Sequence, residues 1–236
     1  MSAGLCGLIE RFASAPGRPN PGEMPIIPGE VSDFSTLYQQ NCSGCHGAEG
    51  KGGAAIALAN PVYLAIADDA ILRRATASGI PGTSMPAFAQ SAGGMLTDKQ
   101  VDVIVGGIRK RWSKLDSVQG ADPPPHSSSQ SGDPTRGAEV YAAYCSSCHG
   151  TAGQGGQKAS SIVDGSFLAL VSDQGLRTIV IAGRPELGAP DWRGNIPGKP
   201  MSAQDVSDVV AWLACQRPKF PGQPFPTTAK VIGESR

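Results

Sequence analysis

The sequence has few aromatic residues, no excess of charge and no long apolar segment. Only 6% of its 236 residues are Phe, Trp or Tyr, whereas Gly and Pro occur 31 and 20 times. Such a composition favours loops and supplies only a small apolar core. Lys and Arg balance Asp and Glu at 20 each, so the net charge points to no nucleic-acid partner, and we expect none. Because no apolar run reaches the roughly 18 residues that a membrane span needs, no transmembrane helix is predicted.

The cysteines are the most informative residues of the chain. Four of the six belong to two Cys-x-x-Cys-His motifs, which end at His46 and His149. This motif is the attachment signal for c-type haem, because its spacing lets both thiols reach the haem vinyl groups and places the histidine under the iron. The predicted attachment residues are Cys42, Cys45, Cys145 and Cys148.

Two other uses of paired cysteines are less compatible with this pattern. A structural zinc site commonly closes two such pairs on one metal, but here the pairs lie far apart and each is followed by histidine. A thioredoxin-like redox pair needs a strand–helix–strand context, which the sequence does not indicate.

The chain contains an internal duplication. Aligning the two motifs gives an offset of 103 residues, and with two small insertions Tyr63–Ile66 falls on Phe167–Leu170, and Val101 on Val206. Each copy contains a helix before the motif, a glycine-rich loop, a middle helix and an amphipathic closing helix. Capping signals begin both closing helices, Thr97 with Gln100 and Ser202 with Asp205.

These patterns predict two domains, 31–116 and 134–218. Residues 117–133 contain three consecutive prolines and a serine cluster, a composition that cannot pack a core and is typical of a partly stiff linker. Residues 1–30 and 219–236 are predicted to be tails rich in proline, the first of which acts as a tether.

The two motifs, the helix before each, the dipeptide Met85-Pro86 and the closing helices carry a family resemblance. Over residues 31–116 and 134–218 the chain resembles the class I cytochromes c, specifically their tandem dihaem forms. The resemblance implies an all-α fold wrapped around two covalently bound haems c. His46 and His149 would be the proximal iron ligands, and Met85 the sixth ligand of the first haem, with Met95 as the alternative.

The resemblance also implies a function and a compartment. It indicates an electron-transfer protein rather than an enzyme, working outside the cytoplasm as a carrier or as a subunit of a membrane redox complex. Its partners would be a redox donor and acceptor in a membrane respiratory complex. The end of the first closing helix carries a basic patch of Arg109, Lys110, Arg111 and Lys114. These residues are expected either to steer docking or to interact favourably with the helix dipole.

The two copies differ at the sixth-ligand position. At an offset of 104, Met85 falls on Ala189, which cannot bind iron. We expect Met201 to be recruited instead, although it aligns with Leu96, a packing position. The alternatives are a five-coordinate or water-bound iron, and a ligand from His126 or from a partner protein. An open site would indicate a haem enzyme or a protein that binds peroxide or a small gas.

Cys6 lies outside both units. Covalent haem attachment implies export, yet the first residues contain no recognisable signal peptide. Small and apolar residues before Cys6, with a tether after it, resemble the end of a bacterial lipoprotein signal. We therefore expect a lipid on Cys6 that holds the protein at a membrane surface; the alternative is a free cysteine or a disulfide with Cys215. Cys215 itself is expected to be a small buried residue.

Overall fold

The computed structural model describes residues 28–219, which contain ten α-helices and no strand. The predicted all-α fold is confirmed. The five helices of the first unit are α1 (Phe34–Asn41), α2 (Ser43–His46), α3 (Pro61–Ile66), α4 (Asp69–Ser78) and α5 (Asp98–Trp112). Those of the second are α6 (Pro134–Tyr144), α7 (Ser146–His149), α8 (Gly165–Leu170), α9 (Asp173–Ala182) and α10 (Ala203–Cys215).

Single turns of 3-10 helix interrupt the loops at Pro28–Glu30, Gln90–Ala92, Leu115–Val118 and Pro185–Leu187. Across the described part of the chain, none of the helices is both long and apolar enough to cross a membrane.

Side-chain caps define where the helices begin. The predicted capping boxes are confirmed: Thr97 and Gln100 cap α5 reciprocally, and Ser202 and Asp205 do the same for α10. Sequence periodicity does not predict α3 and α8, because six residues are too few to show a helical repeat. These two helices depend instead on Asn60 and Asp164, whose side chains accept hydrogen bonds from the first turn.

In each unit the first helix crosses the closing helix at a glycine. A Cβ added to Gly107 of α5 would lie 2.1 Å from Cδ2 of Phe34 in α1, and one added to Gly137 of α6 would lie 2.8 Å from Cβ of Trp212 in α10. Phe34 aligns with Gly137, and Gly107 with Trp212. The small and the large residue have therefore exchanged helices between the two copies, which preserves the close crossing.

The predicted linker is held against the second unit by hydrogen bonds. The buried Arg177 of α9 donates from Nε and Nη2 to the carbonyl of Pro125 at 3.0 and 2.9 Å, and from Nε to that of His126 at 3.1 Å. Gln174 donates to the His126 carbonyl at 2.7 Å. The path of the linker is thus fixed by side chains of α9 as well as by its own prolines.

Two cysteines, Cys215 and Cys6, lie outside the Cys-x-x-Cys-His motifs. Cys215 is exposed, not buried as expected, because it is the last residue of α10, beyond the buried stripe that ends at Leu213. Cys6 belongs to residues 1–27, which like residues 220–236 lie outside the described part of the chain. Lipidation of Cys6 stays a prediction.

Candidate haem sites

The first motif lies on a tight turn between two helices. Cys42 ends α1, its backbone N–H donating to the Tyr38 carbonyl, and α2 then carries Cys45 and His46. The His46 side chain is buried, and its Nδ1 lies 2.8 Å from the carbonyl oxygen of Ile56. A carbonyl can only accept, so Nδ1 carries the ring hydrogen and Nε2 keeps a free lone pair.

The second motif repeats this arrangement. His149 of α7 is partly buried, and its Nδ1 lies 2.9 Å from the carbonyl oxygen of Ser160. A hydrogen bond of this kind orients an imidazole and raises its basicity as a metal ligand. Burial, the largest effect, lowers the pKa of His46 and so favours the neutral ring that an iron ligand requires.

The thiols of both motifs are free, as haem attachment requires. Cys42 is buried and Cys45 exposed, whereas Cys145 and Cys148 are partly buried. Burial raises the pKa of Cys42 and of Cys145 to about 11. Each unit therefore offers two thiols and one imidazole nitrogen on adjacent turns of the chain, a donor set that fits a covalently attached haem.

A tyrosine braces each motif from the preceding helix. The hydroxyl of Tyr38 donates to the carbonyl of Gly47 at 2.7 Å, and that of Tyr141 donates to the carbonyl of Gly150. Both glycines have positive φ, 82° and 80°, so the chain turns sharply just after each histidine. The sequence signal for this role is their identical position, four residues before the first cysteine of each motif.

Backbone hydrogen bonds place Met85 and Ala189 at equivalent positions. The N–H of Ile80 donates to the Met85 carbonyl at 3.0 Å, and the N–H of Arg184 donates to the Ala189 carbonyl at 3.0 Å. Met85 is partly buried in the loop after α4, and Ala189 is partly buried in the corresponding loop after α9. The two loops thus share this backbone hydrogen bond but differ in the side chain that they present at the position expected for the sixth ligand.

The other proposed ligands occupy distinct environments. Met201 is 2% exposed, and its N–H donates to the Trp192 carbonyl at 2.9 Å, as that of Leu96 does to the Phe88 carbonyl at 2.7 Å. It therefore occupies a packing position of the core, and its role as a ligand stays a prediction. Met95 is 81% exposed.

His126 lies on the linker beside α9, with its Nε2 3.4 Å from Nε2 of Gln174. Burial and the charges of Arg74 and Arg177 lower its pKa. Its role as a ligand also stays a prediction.

Comparison with known families finds a match in both units. The family model described as cytochrome c oxidase, cbb3-type, subunit III matches residues 29–106 and 132–213. No curated protein sequence matches the chain significantly.

Two solved structures are similar over parts of the chain. Dihydro-heme d1 dehydrogenase NirN is 29% identical over 40% of this chain, with a TM-score of 0.30, and the match spans only 17% of that protein. A chain of the reducing HAO-like protein complex of Kuenenia stuttgartiensis is 16% identical over 83% of this chain and 100% of its own, with a TM-score of 0.44.

Proposed function

Because the chain belongs to the family described as cytochrome c oxidase, cbb3-type, subunit III, we propose that it binds one haem c in each unit and transfers electrons between two redox proteins. A bound haem would supply an iron that changes oxidation state by one electron. The observation that carries the proposal is the repeated motif geometry, in which His46 and His149 each have Nδ1 bonded to a carbonyl and Nε2 free.

The residues of the chain would act as a fixed support for this chemistry. The paired cysteines would hold the porphyrin through thioether bonds, and the loops ending at Ile56 and Ser160 would keep each imidazole in one orientation. In the first unit Met85 would supply the sixth ligand, and a His/Met pair favours the high potential that suits electron transfer.

Counting the haems tests this proposal. The full chain is produced in a bacterial periplasm with the cytochrome c maturation system, and its intact mass and haem absorbance are measured. We expect the mass of two haems on the wild-type protein and of one haem on either double variant, Cys42→Ala/Cys45→Ala or Cys145→Ala/Cys148→Ala. The Cys215→Ala variant is the matched control and keeps both haems, since this exposed cysteine lies outside the motifs. A colourless wild-type protein with the mass of the bare polypeptide rejects the proposal.

We also propose where the electrons travel. The family description names a subunit of a cytochrome c oxidase, and on this ground we propose a donor and an acceptor in a respiratory membrane complex on the outer side of the cytoplasmic membrane. A lipid on Cys6 would hold the protein at that surface. Mass spectrometry of the N-terminal peptide tests the anchor, and an unmodified Cys6 in protein from a lipoprotein-processing host rejects it.

A second candidate function, ligand binding at the second haem, is favoured by Ala189. This residue occupies the backbone position of Met85 but presents no donor atom. If no other residue replaces methionine there, carbon monoxide will bind one haem per reduced chain. The Ala189→Met variant should then abolish binding, whereas Met85→Ala should double it. A wild-type Soret band that does not shift with carbon monoxide rejects this function and favours a pure electron carrier.

A further inference from the structure

The two units meet beside both haem sites, and Arg184 lies at their contact. Nη2 of Arg184, in the second unit, donates to the carbonyl oxygen of Gly53 in the first at 2.9 Å. Its Nε contacts the carboxylate of Glu186 at 2.5 Å, and the two side chains are only 14% and 16% exposed. Solvent screens so enclosed a pair only weakly, and the guanidinium is the member of the pair that contacts the first unit.

Gly53 belongs to the loop that orients the proximal histidine of the first unit. A Cβ added to Gly53 would lie 2.1 Å from the carbonyl oxygen of Cys45, and the N–H of Ala55 donates to that carbonyl at 2.9 Å. The next residue, Ile56, accepts the hydrogen bond from Nδ1 of His46. By holding Gly53, Arg184 therefore holds the short segment that fixes the imidazole.

The backbone of Arg184 belongs to the sixth-ligand loop of the second unit. Its N–H and carbonyl exchange hydrogen bonds with Ala189 at 3.0 and 3.1 Å. Nearby, Asn60 of the first unit donates to the carbonyl of Ala182 at 2.9 Å, in a buried contact that fixes the end of α9. One residue thus contacts the proximal loop of the first site and the sixth-ligand loop of the second.

The charge of Arg184 lies close to the first motif, because its guanidinium is hydrogen-bonded to Gly53 and Gly53 packs against the carbonyl of Cys45. Reduction of a haem at this site would add one electron from a redox donor without making or breaking a bond to the protein. A fixed positive charge beside the site stabilises the reduced form relative to the oxidised one.

We propose that Arg184 is a positioning residue that the second unit supplies to the first: it braces the loop behind His46 and raises the reduction potential of the first haem. This inference rests on the proposed function, since it requires a haem on the first motif. It goes beyond that function in making the potential of one haem depend on a side chain of the neighbouring unit.

A redox titration of the full haem-loaded chain tests this proposal. Electron paramagnetic resonance follows each ferric haem separately, and the Met85→Ala variant assigns the signal of the first. We expect Arg184→Gln to make reduction of the first haem about tenfold less favourable, which is about 59 mV for one electron, with a smaller change at the second haem. Arg184→Lys keeps the positive charge but not the planar guanidinium with its several donors, so the reduction potential of the first haem should return part of the way to the wild-type value.

Two further variants test the direction of the shift in potential and whether it is specific to Arg184. Glu186→Gln removes the negative charge that is paired with Arg184 and should raise the reduction potential of the first haem. The direction of this shift tests the proposal even if Arg184→Gln does not fold. Arg193→Gln, which removes an arginine of the same unit whose side chain is 41% exposed, should leave the first haem unchanged. Wild-type potentials in Arg184→Gln with both haems bound, or equal shifts at both haems, overturn the inference alone. A wild-type chain without covalent haem overturns the proposed function and this inference with it.

Discussion

Arg109 in the first unit and Arg217 in the second bind three equivalent groups, although the two arginines do not align in the sequence repeat. Arg109 contacts the Asp69 carboxylate and the carbonyls of Leu64 and Ala67. Arg217 contacts the corresponding groups of the second unit, which are the Asp173 carboxylate and the carbonyls of Leu168 and Val171. Arg109 lies within its closing helix, whereas Arg217 follows the end of α10. The two copies therefore preserve the same interaction through different sequence positions.

We expect Arg109→Ala and Arg217→Ala each to destabilise the protein by about 1–3 kcal/mol, the usual cost of leaving a buried carbonyl without its partner. Urea unfolding of the haem-loaded chain, followed by circular dichroism, measures the loss. Lys110→Ala is the control, since Lys110 is an exposed cation on the same helix as Arg109. If Arg109→Ala and Arg217→Ala lower the free energy of unfolding no more than the control does, the bonds to the carbonyls do not stabilise the fold. Arg109 would then belong with the exposed basic residues that were expected to steer docking.

The crossing of α1 and α5 gives a sharper packing test. Gly107→Ala should cost about 1–3 kcal/mol, because the added Cβ would overlap the ring of Phe34. Gly106→Ala, one residue earlier, meets nothing within 4 Å and should stabilise α5 by about 0.5–1 kcal/mol through its better helix propensity. Thermal unfolding of the two variants measures the contrast. Equal effects would show that the close approach to Phe34 is not retained in solution.

The hydrogen bonds from Arg177 predict how firmly the linker is held. Arg177→Ala should raise the rate of amide hydrogen exchange over residues 126–132 by about tenfold or more. The linker would open more easily, because opening would no longer require the bonds from Arg177 to the linker carbonyls to break. Arg73→Ala is the matched control, because the side chain of the aligned Arg73 is 43% exposed and pairs with Asp98 and Asp102 instead. Exchange that rises equally in both variants would contradict a specific role for Arg177.

Tyr38 predicts an alkaline limit to stability. Burial raises its pKa from 10.0 to about 12, so the folded state favours the neutral phenol. Its contribution to the free energy of unfolding is fully present below pH 10 and is lost as the pH rises through about 12. Tyr38→Phe should cost about 0.5–1.5 kcal/mol at neutral pH by removing the bond to Gly47. It should also reduce the loss of stability between pH 10 and 12.

Urea unfolding at three pH values measures both effects of Tyr38→Phe. Burial raises the pKa of Tyr63 to about 12 and also raises that of Tyr141, and these two residues supply the slope that remains in the variant. Identical slopes in the variant and the wild type would contradict the assignment to Tyr38.

The haem motifs and the helical repeat could be predicted from the sequence because their physics is local. Both cysteines and the histidine of a motif lie within a single turn, and Cys42, Cys45 and His46 need no distant contact to be recognised. The closing helices were predictable for the same reason, since Thr97 and Ser202 cap them through residues only three positions away.

The replacement of Met85 by Ala189 also followed from alignment alone, because the repeat supplies its own comparison. What the sequence did not indicate is the burial of individual groups. The exposure of Cys215 depends on where α10 leaves the core, and the role of Arg177 depends on the linker returning across α9.

The sequence by itself thus determined the fold class and predicted the duplication and the cysteines and histidines that would hold two haems, since these depend on spacings of a few residues. Only the tertiary structure decided that Arg217 substitutes for Arg109 and that Arg184 reaches the proximal loop of the other unit. Such contacts join residues far apart in the chain, and no local pattern of amino acids encodes the distance between them.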